Sequence, residues 1–261
     1  MTRISIALVQ MESAASVTIN IEKSNKLLEA AARTKPDIIV FPEYQMLVPD
    51  YFNGDWEQAK KDSKLFLAAM KESSERISSR ILINYWEFTG KRPYNSAALI
   101  NSGNVEYRYR KIHLYDAMNH RESNTYRYGD TKIGKFTIGD FTAGTEICYD
   151  IRFPELSYLM KKAGINLILV QAGWYSGYGK RDSWISILRT RAIESGAYVA
   201  ASAQCGKLFT GNSLIIDPYG GIVSSIEEGE GVVSGSIDTE TILKYNTDYP
   251  LQDQQRFHLK H

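Results

Sequence analysis

Short apolar runs of strand length alternate along this chain with longer segments whose apolar residues recur at helical spacing. That alternation constrains the fold more than any other feature of the sequence. Residues 4–9 read as a buried strand, and residues 38–41 as a second one ended by Pro42. Between them, residues 17–33 place Val17, Ile21, Leu28 and Ala31 or Ala32 on one helical face. Residues 56–77 do the same with Phe66, Met70 and Ile77. Three strand candidates follow, 81–86, 96–101 and 105–109, the last two joined by the turn Asn101-Ser102-Gly103-Asn104. Residues 135–147 offer two strands around Gly139-Asp140, and a helix begins near Pro154 and runs to 163. A strand over 166–172 and a helix over 180–195, with Trp184, Leu188 and Ala192 inward, come next. Three or four strands lie between 198 and 237, and a C-terminal tail is expected from about 239. Helices between strands describe one α/β domain spanning residues 1–261. The strands are too many for one open sheet, so two stacked sheets with helices outside are expected.

A formal net charge of +1 over 261 residues removes the simplest case for nucleic acid or an anionic membrane, since both need a concentrated basic face. Two cysteines, Cys148 and Cys205, cannot form a disulfide framework and fit a reducing compartment. The apolar run at the N-terminus is too short for a signal peptide core, and no stretch approaches the ~20 apolar residues of a membrane span. A cytoplasmic protein without metal or cofactor is the expectation. No Cys/His spacing resembles a zinc site. The segment from Gly173 to Lys180 suggests a phosphate loop but fails, because its glycines are one residue too far apart and Arg181 stands where Ser or Thr is needed.

Between Lys111 and Asp130 the periodicity disappears, while His113, Tyr115, His120, Glu122, Tyr126 and Tyr128 accumulate. A loop of that length in a compact domain is usually functional or disordered, and its aromatic content argues for order. Three ionisable or nucleophilic residues each follow an apolar strand directly: Glu43, Lys111 and Cys148. Ligands collect at the carboxyl ends of strands in α/β sheets, where these side chains can converge. Singly, each has a plain structural reading as a turn carboxylate, a solvated lysine or a small core thiol. Together they suit one chemistry. A thiol attacks a carbonyl as the thiolate and needs a base. The four histidines are His113, His120, His258 and His261, two of them in the terminal tail, so Glu43 is the candidate base. The resulting oxyanion needs a cation or aligned N–H donors, which Lys111 and the backbone of Tyr149 can supply.

The trio resembles the nitrilase superfamily of carbon–nitrogen hydrolases. Phe41-Pro42-Glu43 is similar to its glutamate motif, and residues 109–114 (Tyr-Arg-Lys-Ile-His-Leu) to its lysine motif. Residues 147–155 (Ile-Cys-Tyr-Asp-Ile-Arg-Phe-Pro-Glu) resemble its nucleophile elbow. Residues 189–199 and 213–220 resemble the helix, strand and turn that follow. The resemblance implies a four-layer αββα sandwich, two stacked mixed β-sheets with helices on the outside. It also implies a homodimer or a higher homo-oligomer built from dimers. Cys148 would attack an amide carbon, Glu43 would shuttle protons, Lys111 would stabilise the oxyanion, and Glu122, in a loop shorter than in relatives, would be a fourth site residue.

True nitrilases carry Cys-Trp-Glu at the nucleophile, whereas this chain has Cys-Tyr-Asp, more like the branch of omega-amidases. Their substrates are small acids with a terminal amide, such as 2-oxoglutaramate. Arg152 then becomes a candidate for pairing a substrate carboxylate. Tyr149, Tyr44, Tyr115 and Trp174 are the other candidate substrate contacts. The expected reaction uses a small amide and water; the alternatives are an N-carbamoyl amino acid hydrolase, an aliphatic amidase, or a non-catalytic ligand-binding member of the fold.

Overall fold

The first strand shows how the layers form. In a computed structural model describing residues 2–256, β1 (Arg3–Gln10) turns Ile4, Ile6 and Leu8 to one face, and Ala7 and Val9 to the other. Successive side chains of a strand point to opposite faces, so a strand apolar at every position is buried on both. Ile4, Ile6 and Leu8 pack with Leu167, Leu169 and Ile215 of a second sheet. Ala7 and Val9 pack with Val17, Leu28, Phe66 and Met70, which come from two helices. Those helices are α1 (Val17–Ala32) and α2 (Trp56–Glu75). Each begins at a side-chain cap: Ser16 accepts from the Ile19 N–H, and Asp55 from the Gln58 N–H.

Beside β1 lie β2 (Ile38–Val40), β3 (Arg80–Glu87), β4 (Tyr94–Asn101) and β5 (Asn104–Arg110). The second sheet holds β6 (Phe136–Ile138), β7 (Phe141–Ile147), β8 (Leu167–Ala172), β9 (Tyr198–Ala203), β10 (Ser213–Ile216) and β11 (Ile222–Ile226). The chain then returns to the first sheet as β12 (Gly231–Asp238), antiparallel to β1. The orders are β12-β1-β2-β3-β4-β5 and β11-β10-β9-β8-β7-β6. Two more helices, α3 (Pro154–Lys162) and α4 (Lys180–Ser195), cover the outer face of the second sheet. The result is the αββα sandwich expected.

Two buried glutamines stitch the sheets. Gln171 Nε2 donates to the Phe41 carbonyl at 2.8 Å, and Gln204 Nε2 to the Glu43 carbonyl at 2.9 Å. Strands β1, β2, β3 and β5 run parallel, as do β7, β8 and β9, so their carboxyl ends meet along the seam between the sheets.

One expectation changes. The segment from 239 is helical to residue 254, as α5 (Thr239–Asp248) and α6 (Leu251–Gln254). Asp238 caps α5 by accepting from the Thr241 N–H at 2.8 Å, and Ile242 and Tyr245 are buried. Two apolar anchors are too few to give a visible period in so short a segment. The end of that tail, with His258 and His261, lies outside the described residues. Among the described residues no helix is long and apolar enough to cross a membrane.

Candidate active site

Glu43 follows β2 by three residues, and Lys111 follows β5 directly. Both side chains are fully buried and meet at 2.7 Å, Lys111 Nζ to Glu43 Oε1. Glu122, on a single 3-10 turn within the long loop, reaches the same ammonium at 2.7 Å through Oε2 and 2.9 Å through Oε1. One ammonium therefore sits between two carboxylates, out of water. Such a group survives only when its lone pairs and protons are satisfied. Here they are. Gly173 N–H donates to Glu43 Oε2 at 2.8 Å, and Tyr115 N–H to Glu122 Oε2 at 2.7 Å. Asn95 Nδ2 bridges both acids, at 2.8 Å from Glu43 Oε1 and 3.1 Å from Glu122 Oε1. Asn84 in turn fixes the Asn95 amide at 2.8 Å. Tyr44 donates its hydroxyl to Glu122 at 3.3 Å.

Burial pushes the Glu43 carboxyl up from its ordinary range; Lys111 opposes that shift and Glu122 adds to it. For Lys111 burial alone would favour the neutral amine, but the Glu122 and Glu43 carboxylates override it and hold the ammonium well above its usual value. The site thus keeps a firm positive charge beside a carboxylate of raised basicity.

Cys148 follows β7 and opens a 3-10 turn over Cys148–Arg152 that leads through Pro154 into α3. Its φ is +47°, a left-handed conformation costly for a residue with a Cβ. Asp150 fastens this turn. It accepts from the Ile147 N–H at 3.1 Å, the His113 N–H at 2.8 Å and the Tyr109 hydroxyl at 2.7 Å. One carboxylate thereby ties the thiol's turn to the segment that carries Lys111. The thiol lies within hydrogen-bonding reach of Glu43, and burial followed by the Glu43 charge pushes its pKa well above the ordinary value. The shift favours the neutral thiol, with the Glu43 carboxyl alongside.

A pocket opens over Cys148, lined by Tyr44, Tyr115, Tyr149, Arg152, Gly173, Trp174, Tyr175 and Lys180. All five residues expected to contact substrate are at this cavity, and all four expected catalytic residues are at or beneath its floor. Arg152 lies over the Trp174 ring at 4.6 Å. His120 stacks on Tyr175 at 4.3 Å at the rim. Sequence reasoning missed Asn84, Asn95, Asp150 and Lys180. The two asparagines had a signal, since an amide inside an apolar strand must find a buried partner. Cys205 is buried elsewhere, its thiol pushed up to about 12 by burial.

An αββα sandwich carrying a thiol, a carboxylate and a buried ammonium at neighbouring strand ends defines a hydrolase of the nitrilase superfamily. The chain belongs to the carbon–nitrogen hydrolase family, whose sequence model matches residues 5–246. It is 28% identical to the deaminated glutathione amidase of Escherichia coli O157:H7, covering 91% of this chain and 92% of that protein. It is also 28% identical to the omega-amidase NIT3 of Saccharomyces cerevisiae, covering 98% and 94%. Among solved structures, the NitFhit protein of C. elegans shares the fold with a TM-score of 0.88 at 24% identity. That match covers 97% of this chain, which spans 65% of the NitFhit chain.

Proposed function

We propose that this protein is an amidase of the omega-amidase kind, opening the terminal amide of a small carboxylic acid and releasing ammonia. The observation that carries this reading is the Cys148 thiol beside Glu43, with Lys111 clamped by Glu43 and Glu122. Cys148 adds to the amide carbon as Glu43 takes the thiol proton. The oxyanion is met by Lys111 Nζ and the Tyr149 N–H. Glu43 returns its proton to the departing nitrogen, the C–N bond breaks, and a thioester remains. Glu43 then draws a proton from water, whose oxygen attacks the thioester. The adduct collapses with cleavage of its C–S bond, Glu43 returns the proton to the departing thiolate, and the acid leaves. Glu122 fixes Lys111, so the cation need not reorganise as charge develops.

Two relatives named for deaminated glutathione and omega-amide hydrolysis support the choice of amide class. Arg152 at the cavity mouth suits a substrate carboxylate, which a simple aliphatic amide lacks. The same reading has one catalytic domain over residues 1–261, a homodimer or a multiple of dimers, and a cytoplasmic location.

The test is intact-protein mass spectrometry with 2-oxoglutaramate, alongside ammonia release from 2-oxoglutaramate, an N-carbamoyl amino acid and an aliphatic amide. An acyl adduct that forms on the native protein and is absent from Cys148→Ala is expected. Unchanged turnover in Cys148→Ala sinks the mechanism. A rate confined to the carbamoyl or aliphatic compound replaces the substrate class.

A further inference from the structure

The mouth of the cavity holds a second cation that the reaction chemistry does not use. Lys180 is the first residue of α4, half-buried, and its Nζ lies 5.7 Å from the centre of the Tyr115 ring. Arg152 faces the same space from the turn that carries Cys148, its guanidinium over Trp174. Neither side chain forms an ion pair or a hydrogen bond with a described residue. Among the described residues no carboxylate lines the cavity, and the nearby Asp50 is engaged by the Tyr175 hydroxyl at 3.3 Å. Two cations held near one another without an anion repel, which costs stability unless a ligand supplies the charge. The effect is visible on Lys180: burial and then the Arg152 charge push its ammonium below the usual value, with Cys148 opposing.

Beneath them the balance reverses. Glu43 and Glu122 oppose a single Lys111, so the floor is net negative and repels an anionic group. A ligand with a neutral amide at one end and a carboxylate at the other has only one favourable orientation in this field. Its amide lies at Cys148 and its carboxylate lies at the mouth.

We infer that Lys180 is a specificity-determining residue, forming with Arg152 a two-cation clamp for the substrate carboxylate remote from the amide. Arg152 offers the planar fork that takes both oxygens of a carboxylate, and Lys180 adds a point charge from beside Tyr115. Their aromatic supports hold both cations facing inward without neutralising them. This inference rests on the amide-hydrolase reading only for the position of the amide; the clamp itself is a binding site.

Two measurements test it in the full-length protein. The first is the ratio of kcat/KM for succinamate to that for butyramide, in native protein, Lys180→Met and Lys180→Arg. The ratio is expected to fall about tenfold or more in Lys180→Met, mainly through KM for succinamate, and to recover in Lys180→Arg. The second needs no turnover: succinamate binding to Cys148→Ala, followed by the tryptophan fluorescence that Trp174 provides. Adding Lys180→Met is expected to weaken succinamate about tenfold or more. An unchanged ratio, an unchanged succinamate affinity, or no succinamate binding at all overturns the assignment. If the native protein does not hydrolyse succinamate but its binding depends on Lys180, the clamp stands and the omega-amidase reading falls. If succinamate is hydrolysed and Lys180→Met changes neither measurement, the reverse holds.

Discussion

In the proposed mechanism Glu43 has to be ionised to take the Cys148 proton, yet burial raises its pKa and makes ionisation harder. The compromise has a kinetic signature. The acidic limb of kcat/KM reports protonation of the base in the free enzyme, so activity falls with decreasing pH at an apparent pKa above the ordinary 4.5. The sign follows from the direction of the shift: a raised pKa moves the loss of base to higher pH. A limb at or below 4.5 would argue against Glu43 as the base. Glu43→Gln keeps the shape but cannot accept the proton, and kcat is expected to drop by about 10²–10⁴. Pre-steady-state ammonia release and adduct formation should fall together.

At the scale of elements, the carboxyl end of β8 is packed against its neighbour without room to spare. A Cβ on Gly173 would stand 2.4 Å from the Tyr44 ring, and the Gly173 N–H holds Glu43 Oε2. Gly173→Ala is therefore expected to destabilise by about 1–3 kcal/mol, as overpacking does. Urea unfolding measures that loss, and kcat should fall as well because the base loses its support. A stable, fully active Gly173→Ala would show that Tyr44 can move aside at no cost. The strands and most helices were legible beforehand, since β1, β2 and β8 are apolar at nearly every position and α4 carries Trp184, Leu188 and Ala192 at helical spacing. Glu43, Lys111 and Cys148 stood out as candidates because each closely follows an apolar strand, their chemistry suits one reaction, and their surroundings resemble known motifs. Asn84 and Asn95 were not, because their role depends on which strands become neighbours across the sheet. Lys180 ends a stretch that only superficially resembles a phosphate loop, and only packing shows that its side chain turns to the thiol's cavity. The helix α5 was hidden because Ile242 and Tyr245 alone anchor it.

Across the whole molecule, one buried acid links stability to pH. Glu146, on β7, accepts from the Ser157 hydroxyl at 2.8 Å, while its other oxygen has no partner among the described residues. Burial raises its pKa from 4.5 to about 8, with Ser157 opposing the shift and Asp150 adding to it. The folded chain then holds a proton that the unfolded chain has released across this range. The stabilisation is fully present below about 4.5 and is lost as pH rises through about 8. Glu146→Gln mimics the protonated acid at every pH. Its Tm relative to the native protein should climb between pH 5 and pH 9, by about 2–4 °C for each kcal/mol of linkage. A Tm difference independent of pH would exclude this group as the cause.

The seam between the sheets has a consequence for how the protein acquires its reactivity. Glu43 and Lys111 leave one sheet, whereas Cys148 and Gly173 leave the other. A chain in which either sheet has formed alone holds a thiol without its proton acceptor, or an acceptor without its thiol. Reactivity toward amides therefore arises late, when Gln171 and Gln204 close across the seam. The onset of ammonia release during refolding is therefore expected to report the docking of the two halves.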